Sequence, residues 1–246
     1  MDSSAYLEHV SADGRRALST GRAQLDRPVP SCPGWTVADL LVHLGRVHRW
    51  VEHIVRTRAT ERQPFPERPP EGALAHWYEE GLQRLLDTLA AADAHDTAWN
   101  WMARAPAPVG FWPRRMAHET AVHRWDAEKA VGEEQPIDAV LATDGVDEYI
   151  GIMAFILREE REEEVNLQLH GTLGLRSTDT DFARTLTMSD AGIEQSDGTA
   201  DANCTVRATA SDLLLWMCGR RAMDEATLSV EGDRSVAERL AALPFE

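Results

Sequence analysis

Residues 118–126, His118-Glu119-Thr120-Ala121-Val122-His123-Arg124-Trp125-Asp126, decide how the chain is read. On a helix each residue advances about 100°, so Glu119 and His123 fall about 40° apart and share a face, whereas His118 and His123 fall about 140° apart. His118 therefore looks away from the pair. The zinc-protease pattern needs histidines at i and i+4 with the glutamate between them, and here they are five apart, so that chemistry is excluded. A carboxylate and an imidazole on one face make a metal site the leading expectation. Because two ligands do not hold a catalytic ion, a third must come from elsewhere. The best candidate is His43, within Trp35-Thr36-Val37-Ala38-Asp39-Leu40-Leu41-Val42-His43-Leu44. On that helix Leu40 lies about 60° from His43 and Val47 about 40°, which places the imidazole among core-facing residues, with His48 and His53 turned off that face. A His, Glu, His set leaves coordination positions open, as catalytic sites do. The competing readings are a hydrogen-bonded core histidine and an ordinary i,i+4 pair on a helix surface.

Working outward, the chain has 246 residues, 43% of them hydrophobic, which suits one large or two ordinary domains with proper cores. It carries 25 basic against 41 acidic residues, a net charge of −16, and its basic residues form only short pairs such as Arg114-Arg115 and Arg220-Arg221. Nucleic acid is not an expected partner. The amino terminus lacks a basic region followed by an apolar run, and the longest apolar run near the end is only Leu213 to Cys218. A soluble, cytoplasmic protein without membrane association is expected. The three cysteines, Cys32, Cys204 and Cys218, have no CxxC spacing and suggest neither a disulfide framework nor a cysteine zinc site. Any thiol chemistry must then bring its thiol on a cofactor.

Helical periodicity covers about Ala5–Ser19. It is clearer from Thr36 onward, where Val37, Leu40, Leu41, Leu44, Val47, Val51, Ile54 and Val55 recur at steps of three and four behind a capping-box-like Thr36 and Asp39. The proline-rich segment 64–70 separates this from a third helix over about Leu74–Ala92. A fourth starts near Pro113 and stops before Gly132, its inward stripe running Met116, Glu119 or Thr120, His123, Ala127, Ala130. Glu and His within an apolar stripe cost energy unless they find partners, and a bound cation is one such partner. An acidic helix over about Asp138–Arg158 follows, and the run Arg158–Glu164 reads as a solvated helix end and linker. Beyond it, Val165–His170 alternates apolar and polar, Ala183–Met188 and Cys204–Ala208 are short β-like runs, and Gly171, Gly192, Gly198 and Gly232 punctuate them. Two helices, about Ser211–Cys218 with Ser211 as expected N-cap and about Asp233–Leu243, complete this part. The reading is an α+β, two-domain chain: residues 1–160 a helical metal-binding bundle, residues 161–246 a small α+β domain on an antiparallel sheet.

These segments resemble the mycothiol-dependent maleylpyruvate isomerase family of DinB-like proteins. The resemblance is carried by Val29-Pro30-Ser31-Cys32-Pro33-Gly34-Trp35-Thr36-Val37-Ala38-Asp39-Leu40 leading to His43, by residues 118–126, by Ala210-Ser211-Asp212-Leu213-Leu214-Leu215-Trp216-Met217-Cys218-Gly219-Arg220, and by Val230-Glu231-Gly232-Asp233. It implies a DinB-like four-helix bundle holding a divalent metal, usually zinc, on His43, Glu119 and His123, and a C-terminal domain similar to sterol-carrier-type folds. It also implies mycothiol as the thiol cofactor, activated as a metal-held thiolate that adds to a small electrophile, in cis–trans isomerisation or in S-transfer. The family's arginine in the cleft between domains carries over onto Arg220, with Arg221 beside it as the alternative match. The implied partners are a low-molecular-weight thiol and a small-molecule electrophile. His2Glu ligation suits nickel, cobalt or iron as well as zinc.

Other residues have plainer readings. Cys32, between prolines, has no basic sequence neighbour to lower its pKa and is expected to be structural. Asp126, one turn beyond His123, is either a support for it or a helix charge. Trp35, Trp50, Trp77, Trp112, Trp125 and Trp216 serve packing or wall a cleft. Two rival functions remain: a metal-stabilised binding or regulatory protein without turnover, and a metal-dependent hydrolase using Glu119 or Asp126 as base.

Overall fold

A computed structural model of the protein describes residues 1–70, 72–162 and 170–241. They fall into two compact units, Met1–Gln135 and Pro136–Glu246. The first is a bundle of four helices: α1 (Ser3–Gly21), α2 (Val37–Thr57), α3 (Leu74–Ala91) and α4 (Phe111–Val131). Two of them, α1 and α2, begin on side-chain caps. Asp2 caps α1 by accepting from Ala5 N. Thr36 and Asp39 form the capping box of α2, the Thr36 hydroxyl accepting from Asp39 N and the Asp39 carboxylate accepting from Thr36 N. The amphipathic face of α2 buries Leu40, Leu41, Leu44, Val51 and Ile54 completely, and α3 contributes Tyr78 and Leu85 to the same core. Two short strands, β1 (Thr97–Ala98) and β2 (Ala107–Pro108), pair antiparallel before α4. They are too brief to leave a period-2 signal in the sequence.

Helix α4 buries more polar residues than any other described helix: His118, Thr120, His123, Arg124, Asp126 and Glu128 are all buried. Such burial stands only if the groups find partners. Arg124 donates to Asp13 (3.1 Å), to Glu128 (2.8 Å) and to the Gln135 carbonyl (2.6 Å), and Arg16 from α1 reaches the second Glu128 oxygen. His48 of α2, off the His43 face as its spacing requires, lies buried against the Thr120 hydroxyl at 3.1 Å.

The second unit comprises α5 (Ala139–Glu162), β3 (Gly171–Ser177), β4 (Ala183–Ser189), β5 (Gly192–Asp197), β6 (Cys204–Ala208), α6 (Ala210–Met217), β7 (Ser229–Gly232) and α7 (Arg234–Ala241). The two units divide at Gln135/Pro136, so α5 belongs to the second, where it packs on α6. Most of the expected strand 165–170 lies outside the described residues, as does Leu243. The sheet runs β5-β4-β3-β6-β7 and is antiparallel except between β3 and β6, which pair in parallel with Leu173 opposite Cys204 and Leu175 opposite Val206. The chain returns from β5 to β6 beside Gly174, where a Cβ would stand 3.0 Å from Thr199 and 2.8 Å from the Thr205 hydroxyl. A side chain at 174 would have to displace those two threonines. The N-cap of α6 is Thr209, not Ser211; the Ser211 hydroxyl instead accepts from Ile137 N. Among the described residues no helix is long and apolar enough to cross a membrane.

Two outcomes follow from the buried polar groups. Arg124→Ala deprives Asp13 of its arginine and Glu128 of one of its two, and denaturant unfolding should show a loss of about 3–5 kcal/mol. Burial lowers the His48 pKa to about 3 from an ordinary value of 6.5. Between those values the unfolded chain carries a proton that the folded one does not, so stability falls as pH drops below 6.5. A His48→Gln variant, even if less stable overall, should show a flatter acid limb by up to one proton in stability curves taken between pH 6.5 and 4.

Candidate functional site

His43 projects from the second turn of α2, and Glu119 and His123 from successive turns of α4. Their side chains meet: His43 Nε2 and His123 Nε2 each lie 3.3 Å from Glu119 Oε1, and the three donor atoms all fall within 4.8 Å of one another. Two ligand atoms each about 2.1 Å from a tetrahedral ion lie about 3.4 Å apart, whereas charge-assisted N–H···O bonds prefer about 2.7–2.9 Å. The spacing therefore suits a shared cation better than direct hydrogen bonds. Cys32, His123 and Asp126 form a second such cluster beside it.

The groups around the three donors hold their orientation. Asp126 Oδ2 stands 2.9 Å from His123 Nδ1; a carboxylate only accepts, so Nδ1 carries the hydrogen and Nε2 is the atom turned toward Glu119. Asp126 is itself fixed by the Ser31 hydroxyl, which donates to Oδ1, and Cys32 Sγ lies 3.8 Å from Oδ2. Arg115 donates to Glu119 Oε2 at 3.0 Å, leaving Oε1 to the histidines. The Trp35 ring stands 5.0 Å from the His43 ring and 6.5 Å from that of His123, forming one wall.

The stretch 29–35 delivers Ser31, Cys32 and Trp35 together because it folds on itself. Val29 N donates to the Trp35 carbonyl, Cys32 N to Val29 and Trp35 N to Cys32, with Gly34 at a φ of 84° that other residues rarely adopt. Burial pushes the Glu119 carboxyl up, but the bonds from His123 and His43 and the charge of Arg115 hold it well below the usual range. Burial pushes His123 down, while its bonds to Asp126 and Glu119 outweigh this and raise it to about 9. The pocket thus retains positive charge on a proton unless another cation takes the proton's place.

The structure brings His43, Glu119 and His123 together as the spacing anticipates. His118 is turned toward α1, its ring edge-on to Tyr6. Arg220 lies in the second unit just beyond α6 and donates to the Cys218 carbonyl at 2.7 Å, while Arg221 bridges Asp212 and Glu225, each at 3.0 Å. Asp126, left open between two roles by the sequence, supports His123. Arg115 could have been found from its i,i+4 spacing to Glu119; Ser31 has no sequence signal, since its partner is 95 residues away.

A four-helix bundle with a His2Glu donor set followed by an α+β unit defines a recognisable class, and comparison with known proteins narrows it. Residues 7–128 match the mycothiol maleylpyruvate isomerase N-terminal domain and residues 140–239 match the C-terminal domain of the same enzymes. The chain belongs to the mycothiol-dependent maleylpyruvate isomerase family, a family of enzymes. A crystal structure of a mycothiol-dependent maleylpyruvate isomerase is 13% identical with a TM-score of 0.63, covering 94% of this chain and 93% of that one. A histidine-to-alanine mutant of such an isomerase gives 0.64 at 12% identity and the same coverage. These two likenesses concern the fold. No curated protein sequence matches.

Removing the Asp126 carboxylate frees the His123 ring to rotate and lowers its basicity. Asp126→Ala should weaken divalent-ion binding about 10–100-fold, read by competition with a chromophoric chelator, with helix content by circular dichroism retained.

Proposed function

We propose that the protein is a metal-dependent enzyme that uses mycothiol as its thiol cosubstrate or cofactor and directs it at a small electrophile, in cis–trans isomerisation or S-transfer. The observation that carries this is the convergence of His43, Glu119 and His123 at 3.3 Å spacings, with the far nitrogen of His123 held by Asp126. The donor chemistry fits a divalent ion, zinc being the first choice. When bound there, such an ion supplies a Lewis acid with an open position, at which a thiol is ionised near neutral pH.

The protein's own residues then have defined tasks. Asp126 keeps His123 in the tautomer whose Nε2 faces inward, Arg115 occupies the outer oxygen of Glu119, and Trp35 closes one side against water. No side chain of the protein is required as nucleophile. In isomerisation the bound thiol would supply the sulfur nucleophile that adds reversibly to a cis double bond, and it would be returned unchanged with the trans isomer. In transfer the S–C bond is kept and a proton is added to the neighbouring carbon. Arg220 takes the part of orienting a substrate carboxylate, with Arg221 beside it as the alternative.

Calorimetric titration of mycothiol into ion-loaded protein, with glutathione and ion-stripped protein as controls, tests the reading. Ion-dependent binding of mycothiol with proton release and little response to glutathione is expected. His43→Ala, Glu119→Ala and His123→Ala should each abolish tight ion binding while leaving the helices folded; full ion content in all three would overturn the ligand assignment. Because His123 must lose a proton that it holds up to about pH 9, ion affinity should rise with pH between 6 and 8, by up to tenfold per unit.

A further inference from the structure

A cavity of about 270 Å³ opens on the outer side of His43, lined by Gly34, Trp35, Asp39, Val42, Arg46 and Arg68 together with His43 itself. Its size is at the small end for ligand pockets, which favours a compact ligand. Arg46 follows His43 by three positions on α2 and so presents to the same side of the helix. Its guanidinium is held rather than free to wander: Nε donates to the Pro66 carbonyl at 2.6 Å, and Cζ lies 4.9 Å from the centre of the Phe65 ring. Those contacts use one edge and one face. The two terminal nitrogens make no hydrogen bond to any described residue, so a pair of parallel N–H donors is preset at the cavity with nothing to receive them.

The other charges of the cavity sharpen this. Asp39 is already satisfied, one oxygen taking Arg68 at 2.7 Å and the other taking the Thr36 hydroxyl and backbone N–H. Two arginines face one carboxylate, leaving a net positive pocket on a chain whose overall charge is −16. Local charge of the opposite sign to the rest of a protein, next to a reactive centre, attracts and orients an oppositely charged ligand.

We infer that Arg46 anchors a carboxylate of the electrophilic substrate, through its two terminal nitrogens, in the cavity beside His43. The segment 64–70 is then the strap that sets the anchor, through Phe65 and the Pro66 carbonyl. What the bound acid goes on to do rests on the thiol-addition reading above; its binding does not.

The test is calorimetric titration of maleate into the full-length protein, with and without chelation of metal, for the wild type, Arg46→Gln and Arg46→Lys, with dimethyl maleate as the uncharged control. Maleate should bind the wild type in both conditions. Arg46→Gln should weaken that binding about tenfold or more, Arg46→Lys should fall between, keeping the charge but losing the fork, and the diester should bind far more weakly than the acid. Arg46→Lys also serves if the glutamine variant proves misfolded by circular dichroism. In turnover with mycothiol, Arg46→Gln should raise KM for the acid about tenfold with kcat changed less than threefold, and should affect the diester much less. Maleate affinity equal in wild type and both variants, or equal losses on acid and diester, overturns the anchor and leaves the thiol chemistry standing. Absence of both a thiol adduct and thiol-dependent isomerisation of the acid overturns the thiol chemistry, and the calorimetry still decides the anchor.

Discussion

The convergence of two imidazoles on one oxygen of Glu119 is the constraint around which the bundle is arranged. Apolar side chains would ordinarily meet where α2 and α4 face each other. Here three polar groups meet instead, and burying them is unfavourable unless each has a partner and the set as a whole has a balanced charge. The neighbours follow from that demand. Arg115 takes the spare oxygen of Glu119, Asp126 takes the spare nitrogen of His123, and Ser31 takes the spare oxygen of Asp126. Farther along α4, Arg124 and Glu128 repeat the arrangement as a purely structural network with Asp13, Arg16 and the Gln135 carbonyl. One helix thus carries two buried polar clusters, of which the first keeps donors directed at a common point and the second is held together by arginine–carboxylate pairs.

What could be read from the sequence was whatever repeats at short range. The steps of three and four from Val37 to Val55, the Thr36–Asp39 box and the four-residue interval between Glu119 and His123 are all local, and the structure returns α2, its cap and the shared face of α4. His43 was legible because Leu40 and Val47 flank it on an apolar stripe. The limits are equally physical. Ser31 and Asp126 are linked across 95 residues, and no interval along the chain encodes that contact. Helix α5 carries the periodicity of a bundle helix, yet periodicity states only that a face is buried and not against what; its partner is α6. Thr209 and Ser211 are both competent caps, and the choice between them depends on Ile137 N, which claims the Ser211 hydroxyl. The parallel pairing of β3 with β6 sets Leu173 opposite Cys204, a contact between distant residues that no short interval along the chain encodes.

The turn over 29–35 has a double part. It precedes α2, whose first residues it leads into, and through Ser31 and Cys32 it also reaches Asp126 on α4. The carboxylate that orients His123 is therefore positioned by the same few residues that place Trp35 against His43. Folding of this turn and assembly of the donor set are coupled events, so perturbation of the connection between α1 and α2 should be felt at α4 before it is felt in the apolar core.

From Met116 to Glu128 every residue of α4 is buried except Glu119, which keeps a side-chain exposure of 22%. The bundle thus has one window along this helix, and the residue in the frame is the one on which both imidazoles converge. A reactant reaching the centre from that side meets the Glu119 carboxylate together with the Arg115 guanidinium paired to its outer oxygen. The remaining positions of that stretch, enclosed by neighbours, have little freedom to diversify. Differences in what such a centre accepts must be written into the rim, in the turn before α2, the outer side of α2 and the strap that crosses it, while the middle of α4 remains a fixed reference.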